Sequence, residues 1–288
     1  MSAAVAPKQK KVHYPFWLGG AASCTATLFS HPLDLTKVRM QTLRGSNRGM
    51  LRTMMLVVRE EGFLALYNGL TASLLRQATY STVRFAIYDF LKERTQGPLT
   101  MDKMVFNSVI AGCVGGVVGN PADIVNIRMQ NDGNLPKHLQ RSYRNALDGL
   151  YRIAKEESIV EFARGLGPNI VRATLMTASQ LVSYDVFKAL LLQQVGLKDN
   201  VWTHFGASSM AGLVATTVCS PFDVVKTRIM NASKDGRSAL DVFKLTLRHE
   251  GVSAFFKGWT PAFIRLGPHT IVTFMVYEQL KRAWNNLL

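Results

Sequence analysis

One segment recurs three times along this chain. Its copies are Pro32-Leu33-Asp34-Leu35-Thr36-Lys37-Val38-Arg39-Met40-Gln41, Pro121-Ala122-Asp123-Ile124-Val125-Asn126-Ile127-Arg128-Met129-Gln130 and Pro221-Phe222-Asp223-Val224-Val225-Lys226-Thr227-Arg228-Ile229-Met230. The prolines stand 89 and 100 residues apart. A second block follows each first one: Glu61-Gly62 leads to Tyr67-Asn68-Gly69, Glu157-Ser158 to Ala163-Arg164-Gly165, and Glu250-Gly251 to Phe256-Lys257-Gly258. A third block closes each copy: Tyr88-Asp89 with Lys92, Tyr184-Asp185 with Lys188, and Tyr277-Glu278 with Lys281. Three blocks in one order, three times over, define a repeat. A repeat of this length is one supersecondary unit that buries its apolar face only against its neighbours. The chain therefore divides into a tail, 1–13, and three units, 14–97, 98–196 and 197–288, which together make one domain.

Each unit predicts two long apolar helices around a short amphipathic one. In the first, 14–41 is apolar and small, 49–61 alternates at helical spacing, and 70–92 is apolar again. A helix of about 27 residues rises ~40 Å, enough to cross a bilayer with tilt. The expected fold is an all-α membrane protein with six transmembrane helices. Composition agrees: 48% of residues are hydrophobic and 18% charged, where a soluble domain carries ~25% charged. The mean hydropathy of +0.08 is high for a soluble enzyme and low for fully apolar spans. Few stretches reach ~20 unbroken apolar residues. Their polar positions must therefore face protein or water, because charge facing lipid is costly. Proline inside a helix removes a hydrogen bond and bends the chain, so the repeat predicts three bends at one depth.

The net charge of +15 is compatible with nucleic acid, an anionic membrane surface or anionic substrates. No zinc-finger, RNP or basic-zipper pattern accompanies it, so nucleic acid is not expected as a partner. Outside Lys8-Gln9-Lys10-Lys11 the cations stand singly at the ends of apolar stretches, as in proteins that touch acidic headgroups. Cys24, Cys113 and Cys219 form no C-x-x-C, and the histidines have no ligand spacing. Neither a metal site nor an enzyme's nucleophile is evident.

One constellation carries chemistry. Arg76, Arg172 and Arg265 each lie 13 residues before the acid of the closing block, Asp89, Asp185 and Glu278. Equal spacing on related helices sets three guanidiniums at one level. Arginine near mid-membrane costs ~2.5–3.5 kcal/mol on insertion scales, so water or an anion must offset three of them. A small dianion accepts forked hydrogen bonds from such groups.

The P-x-[DE]-x-x-[KR]-x-[KR] block, its glycine-containing companion and the aromatic–acid–x–x–basic block resemble the mitochondrial carrier family, over nearly the whole chain. The resemblance implies a six-helix barrel with pseudo-threefold symmetry in the mitochondrial inner membrane, with a short amphipathic helix per repeat on the matrix side. Both termini would face the intermembrane space. Substrate would bind centrally, at Arg76, Arg172 and Arg265 with Gln77, Ala173 and His269 beside them. Two gates would open alternately. On the matrix side Asp123 would pair with Lys226 and Asp223 with Lys37, while Asp34 would face Asn126, which offers a hydrogen bond where the family has a base. Gln41 and Gln130 would brace that ring, and Met230 breaks the third brace. On the cytosolic side Asp89 would pair with Lys188, Asp185 with Lys281 and Glu278 with Lys92, braced by Tyr88, Tyr184 and Tyr277.

Gly69, Gly165 and Gly258 would present helix N-terminal amides to a phosphate, by resemblance that of cardiolipin, the one bound lipid expected where no cofactor is. Within the family, His31-Pro32-Leu33-Asp34-Leu35, Arg84-Phe85-Ala86-Ile87-Tyr88, the second copy of the repeat through Asn131-Asp132, and Arg265-Leu266-Gly267-Pro268-His269-Thr270 are most similar to dicarboxylate-carrying members. That implies a functional monomer exchanging malate or succinate for phosphate or other small dianions. An oxoglutarate-type or uncoupling-type carrier, or a non-transporting structural relative, are the alternatives.

Overall fold

Each repeat contributes two long helices with a short one between them. In this computed structural model, which describes residues 17–42, 49–95, 100–193, 201–232 and 238–287, the first repeat forms α1 (Trp17–Thr42), α2 (Met50–Glu61) and α3 (Leu70–Arg94). The second forms α4 (Met101–Asn131), α5 (Ala146–Arg152) and α6 (Leu166–Gln193). The third forms α7 (Val201–Asn231), α8 (Ala239–Glu250) and α9 (Trp259–Leu287). A short 3-10 turn precedes each of α3, α6 and α9, and there is no strand among the described residues. The tail 1–13, the start of the first repeat at Tyr14 and the junctions at 97/98 and 196/197 lie outside the described residues.

The long helices pack in chain order, α1 on α3, α3 on α4, α4 on α6, α6 on α7 and α7 on α9, and α9 returns to α1. Six helices thus close into a ring. Small residues allow the approach: a Cβ on Gly115 of α4 would stand 3.2 Å from the carbonyl oxygen of Tyr80 on α3. Asp102–Asn134 and Gly206–Asn231 are long and apolar enough to cross a membrane. The other long helices are diluted by polar side chains, which the cavity described below puts to use. Large apolar side chains such as Phe29, Phe106 and Val182 stay exposed.

Pro32, Pro121 and Pro221 lie inside α1, α4 and α7, with helix on both sides. The residue before each proline ties its helix to the turn that leads into the second long helix of the same repeat. His31 Nε2 donates to the carbonyl of Asn68 at 3.1 Å, Asn120 to those of Phe162 and Arg164 at 2.6 and 3.0 Å, and Ser220 to that of Phe255 at 2.7 Å. The main apolar core also lies at this end, where Val38, Ile124, Val125, Ile127 and Met230 meet Ala72, Ala146 and Ile153.

The short helices obey one rule with one exception. α2 and α8 stop at Gly62 and Gly251, whose φ of 91° and 75° suits glycine. Repeat two has Ser158 there, at φ 150°. Its amide reaches back five residues to Ile153 and closes a π turn, whereas Gly62 reaches back four to Val58. A side chain at a glycine position has reshaped the helix before it.

Candidate functional site

The site is built at the end where α1, α4 and α7 finish, here the proline end. Three buried arginines from the repeated segment, Arg39, Arg128 and Arg228, lock it. Each donates its Nε to a terminal carbonyl of the first long helix of the next repeat around the ring: Arg39 to Gln130 at 3.0 Å, Arg128 to Met230 at 3.1 Å and Arg228 to Gln41 at 3.0 Å. A cation on C-terminal carbonyls also complements the helix dipole. Each guanidinium then forks onto the acid of its own second block. Arg128 meets Glu157 at 2.7 and 2.9 Å, Arg228 meets Glu250 at 2.6 and 3.0 Å, and Arg39 takes both oxygens of Glu61. The bonds run α1 to α4, α4 to α7 and α7 to α1, so they form a closed cycle.

Above this cycle lies a small cavity of about 100 Å³, lined by the charged groups of all three repeats. Lys37 pairs with Asp223 at 2.6 Å, and Lys226 with Asp123 at 2.8 Å. Asp34 does not bond Asn126 as the sequence suggests. The Asn126 side-chain oxygen accepts from Ser73 at 2.7 Å and Gln130 at 3.0 Å, and Asp34 pairs with Arg265 at 2.9 Å. Arg76 stands 3.5 Å from Asp123 and Arg172 3.3 Å from Asp223. The three arginines thus converge on the three aspartates. Five cations face three carboxylates here, an excess of two positive charges. Such a floor can accept a doubly charged anion by charge and forked hydrogen bonding.

The neighbouring expected residues take different parts. His269 Nδ1 lies 3.4 Å from Ser30 Oγ on α1. Gln77 donates to Ser81 on its own helix at 3.1 Å, and Ala173 is half-buried one residue beyond Arg172. Gln41 accepts from Thr227 at 2.8 Å across α1 and α7, and Gln130 donates to Ser73 at 3.1 Å across α4 and α3. Two participants escaped the sequence reading. Ser73 and Asn169 each precede a cavity arginine by three residues, and Asn169 accepts from Lys226 at 2.8 Å. The shared offset was the available signal.

At the far end of the ring the three expected pairs, Asp89–Lys188, Asp185–Lys281 and Glu278–Lys92, are not seen among the described residues. Asp89, Lys92 and Asp185 are exposed and make no ion pair among the described residues. Glu278 pairs with Lys281 on its own helix at 3.0 Å, and that lysine also lies 4.5 Å from the Tyr277 ring centre. Tyr88 and Tyr184 are half-buried nearby in sequence. The ion pairs that join one repeat to another among the described residues thus gather at the proline end.

Gly69, Gly165 and Gly258 have φ of 83°, 71° and 82° and immediately precede α3, α6 and α9. They sit against the ends of α1, α4 and α7: a Cβ on Gly258 would meet the carbonyl of Lys37 at 3.1 Å, one on Gly69 would meet Gln130 Cγ at 3.2 Å, and one on Gly165 would meet Met230 Cγ at 2.9 Å. Close packing therefore already requires glycine at these positions. Beside Gly69 a cavity of about 470 Å³ opens between repeats one and two, with Tyr67, Asn68, Tyr143 and Arg144 in its wall.

The profile of the family described as mitochondrial carrier protein matches residues 8–99, 97–195 and 197–287. The chain is 49% identical to the mitochondrial citrate transporter F of Aspergillus niger, over 99% of this chain and 94% of that one. It is 48% identical to the mitochondrial dicarboxylate transporter of Saccharomyces cerevisiae, over 95% and 93%. It is 40% identical to the mitochondrial 2-oxoglutarate/malate carrier protein of Bos taurus, over 98% and 94%.

Proposed function

The chain belongs to the mitochondrial carrier protein family, and from that premise we propose that it is an antiporter of the mitochondrial inner membrane, exchanging malate or succinate for phosphate or another small dianion. The observation that carries the substrate class is the cavity floor, where two positive charges exceed the carboxylates. The relatives named for dicarboxylates, at 48% and 43% identity over more than nine-tenths of this chain, point the same way.

Transport follows from the two ends. Ion pairs close the proline end, the matrix side in this reading, and the cavity is reached from the far, cytosolic side. Substrate that engages Arg76, Arg172 and Arg265 competes with Asp123, Asp223 and Asp34 for the same guanidiniums, which weakens the closed end. Asp89, Lys92, Asp185, Lys188, Glu278 and Lys281 then close the opposite side. Only bound anion offsets the cost of parting one set of pairs before the other forms. The ring closes within one chain through α9 on α1, which supports a monomeric path. The cavity beside Gly69 is where a lipid phosphate such as cardiolipin's would sit, on the amides of the α3 N-terminus and Arg144, the two carboxylates of its wall, Glu61 and Asp132, being engaged by Arg39 and by the amides of Arg141 and Ser142.

The test is uptake into proteoliposomes. Malate and succinate should enter and a neutral amino acid should not; comparable uptake of both would refute the charged cavity as the substrate site. Arg172→Ala removes hydrogen bonds to a charged group, worth ~1.5–3 kcal/mol, so exchange should fall by about tenfold or more.

A further inference from the structure

Two of the three carboxylates at the cavity floor are held by two cations, and one is held by a single cation. Asp123 has Lys226 and Arg76, and Asp223 has Lys37 and Arg172. Asp34 has Arg265 and no second ion-pair partner among the described residues. The cause lies in the repeat. Three residues beyond each acid stand Lys37, Asn126 and Lys226. Each lysine serves the acid of the first long helix of another repeat, α1 serving α7 and α7 serving α4, so the acid left for position 126 is Asp34. Asn126 carries no charge and is turned toward Ser73 and Gln130.

The arginines differ accordingly. Arg76 and Arg172 lie 3.5 and 3.3 Å from carboxylates that already hold a lysine, and the buried Nε of each has no hydrogen-bond partner. Arg265 has been drawn into full contact: its Nη1 lies 2.9 and 3.1 Å from the two oxygens of Asp34. We propose that Arg265 has two duties, binding substrate and standing in as the third cation of the proline-end gate in place of the base missing at 126. The substrate duty rests on the transport reading above; the gate duty rests on the geometry alone.

An order of events follows. An anion that takes all three arginines leaves Asp123 with Lys226 and Asp223 with Lys37, but leaves Asp34 with no cation. The corner where α1 meets α9 is therefore the first to part. Arg76 and Arg172 tune affinity, and Arg265 couples affinity to opening.

The experiment uses the full chain in detergent and in proteoliposomes. Without substrate, Arg265→Gln should lower the thermal midpoint more than Arg76→Gln or Arg172→Gln. Arg265→Gln added to Asp34→Asn should lower it no further. Asn126→Lys should restore the midpoint of Arg265→Gln and not those of the other two variants. In proteoliposomes the Asn126→Lys/Arg265→Gln double variant should be stable yet fail to exchange malate. Asn126→Lys alone frees Arg265 and strengthens the gate, so KM for malate and the maximal rate should both fall severalfold, and Asp34→Asn should recover the rate. Equal midpoints for the three arginine variants, with wild-type exchange intact, would overturn the gate duty. Recovery of exchange in the double variant would overturn the substrate duty. A wild-type chain that exchanges no dicarboxylate, with the midpoint pattern as expected, would overturn the substrate duty together with the transport reading and leave the gate duty standing.

Discussion

Replacing Glu250 by Gln removes a carboxylate from between two cations. Arg228 forks onto it at 2.6 and 3.0 Å, and Lys257 reaches it at 2.7 Å. All three side chains are at most 10% exposed. Burial pushes the Glu250 carboxyl up, but hydrogen bonds from Arg228 and Lys257, with their charges, outweigh it and hold it at about 2. The distance from its ordinary value of 4.5 corresponds to about 3 kcal/mol, and nearer ~2 once solvent screening at the rim is allowed for. Glu61, the matching acid of repeat one, is 25% exposed, so Glu61→Gln should cost ~1 kcal/mol. At ~2–4 °C per kcal/mol, Glu250→Gln should lower the thermal midpoint by ~4–12 °C and Glu61→Gln by ~2–4 °C. The sign with pH also follows. A carboxyl held low in the folded state stabilises it above its unfolded value and loses that effect as pH falls through the folded one. The gap between wild type and Glu250→Gln should therefore close from pH 4.5 down to about 2. A dye-based melting curve in detergent measures both. A Glu61 variant as damaging as the Glu250 variant, or a gap that widens in acid, would refute the reasoning.

Two further outcomes follow from the packing. Ser158→Gly places glycine where φ is 150°, so it should raise the midpoint by the equivalent of ~0.5–1 kcal/mol; an unchanged midpoint would mean the π turn stores no strain. Cys24 and Cys113 are half-buried and Cys219 buried, so a maleimide should modify the first two faster on the folded protein, and mass spectrometry of the labelled peptides shows the order.

The repeat made most of the architecture legible. Recurrence in triplicate delimited the long helices, and equal offsets set Arg76, Arg172 and Arg265 on one level before any contact was known. The cycle of Arg39, Arg128 and Arg228 was harder to read. Each arginine and its acid recur in every repeat, but the partners are 22, 29 and 22 residues apart across a turn and a second helix, so spacing alone does not pair them. The ties at His31, Asn120 and Ser220 share a position and a donor's role but no residue type, and a motif search has nothing to match. Asn126 shows a third limit. A missing base was visible in the sequence, but its replacement came from Arg265 on α9, which is near Asp34 only because the ring closes there. The expected far-end pairs join residues of different helices, and no local pattern encodes whether two helix ends come within ion-pair reach.

Counter-exchange in proteoliposomes tests the central claim most directly. Purified chain is placed in vesicles loaded with phosphate, loaded with malate, or left without internal anion, and the initial uptake of labelled malate is measured. Rapid uptake is predicted with either internal anion, lowered about tenfold or more by Arg172→Ala, and uptake near background is predicted into vesicles with none. Equal uptake into loaded and unloaded vesicles would contradict exchange at a single site that opens to one side at a time.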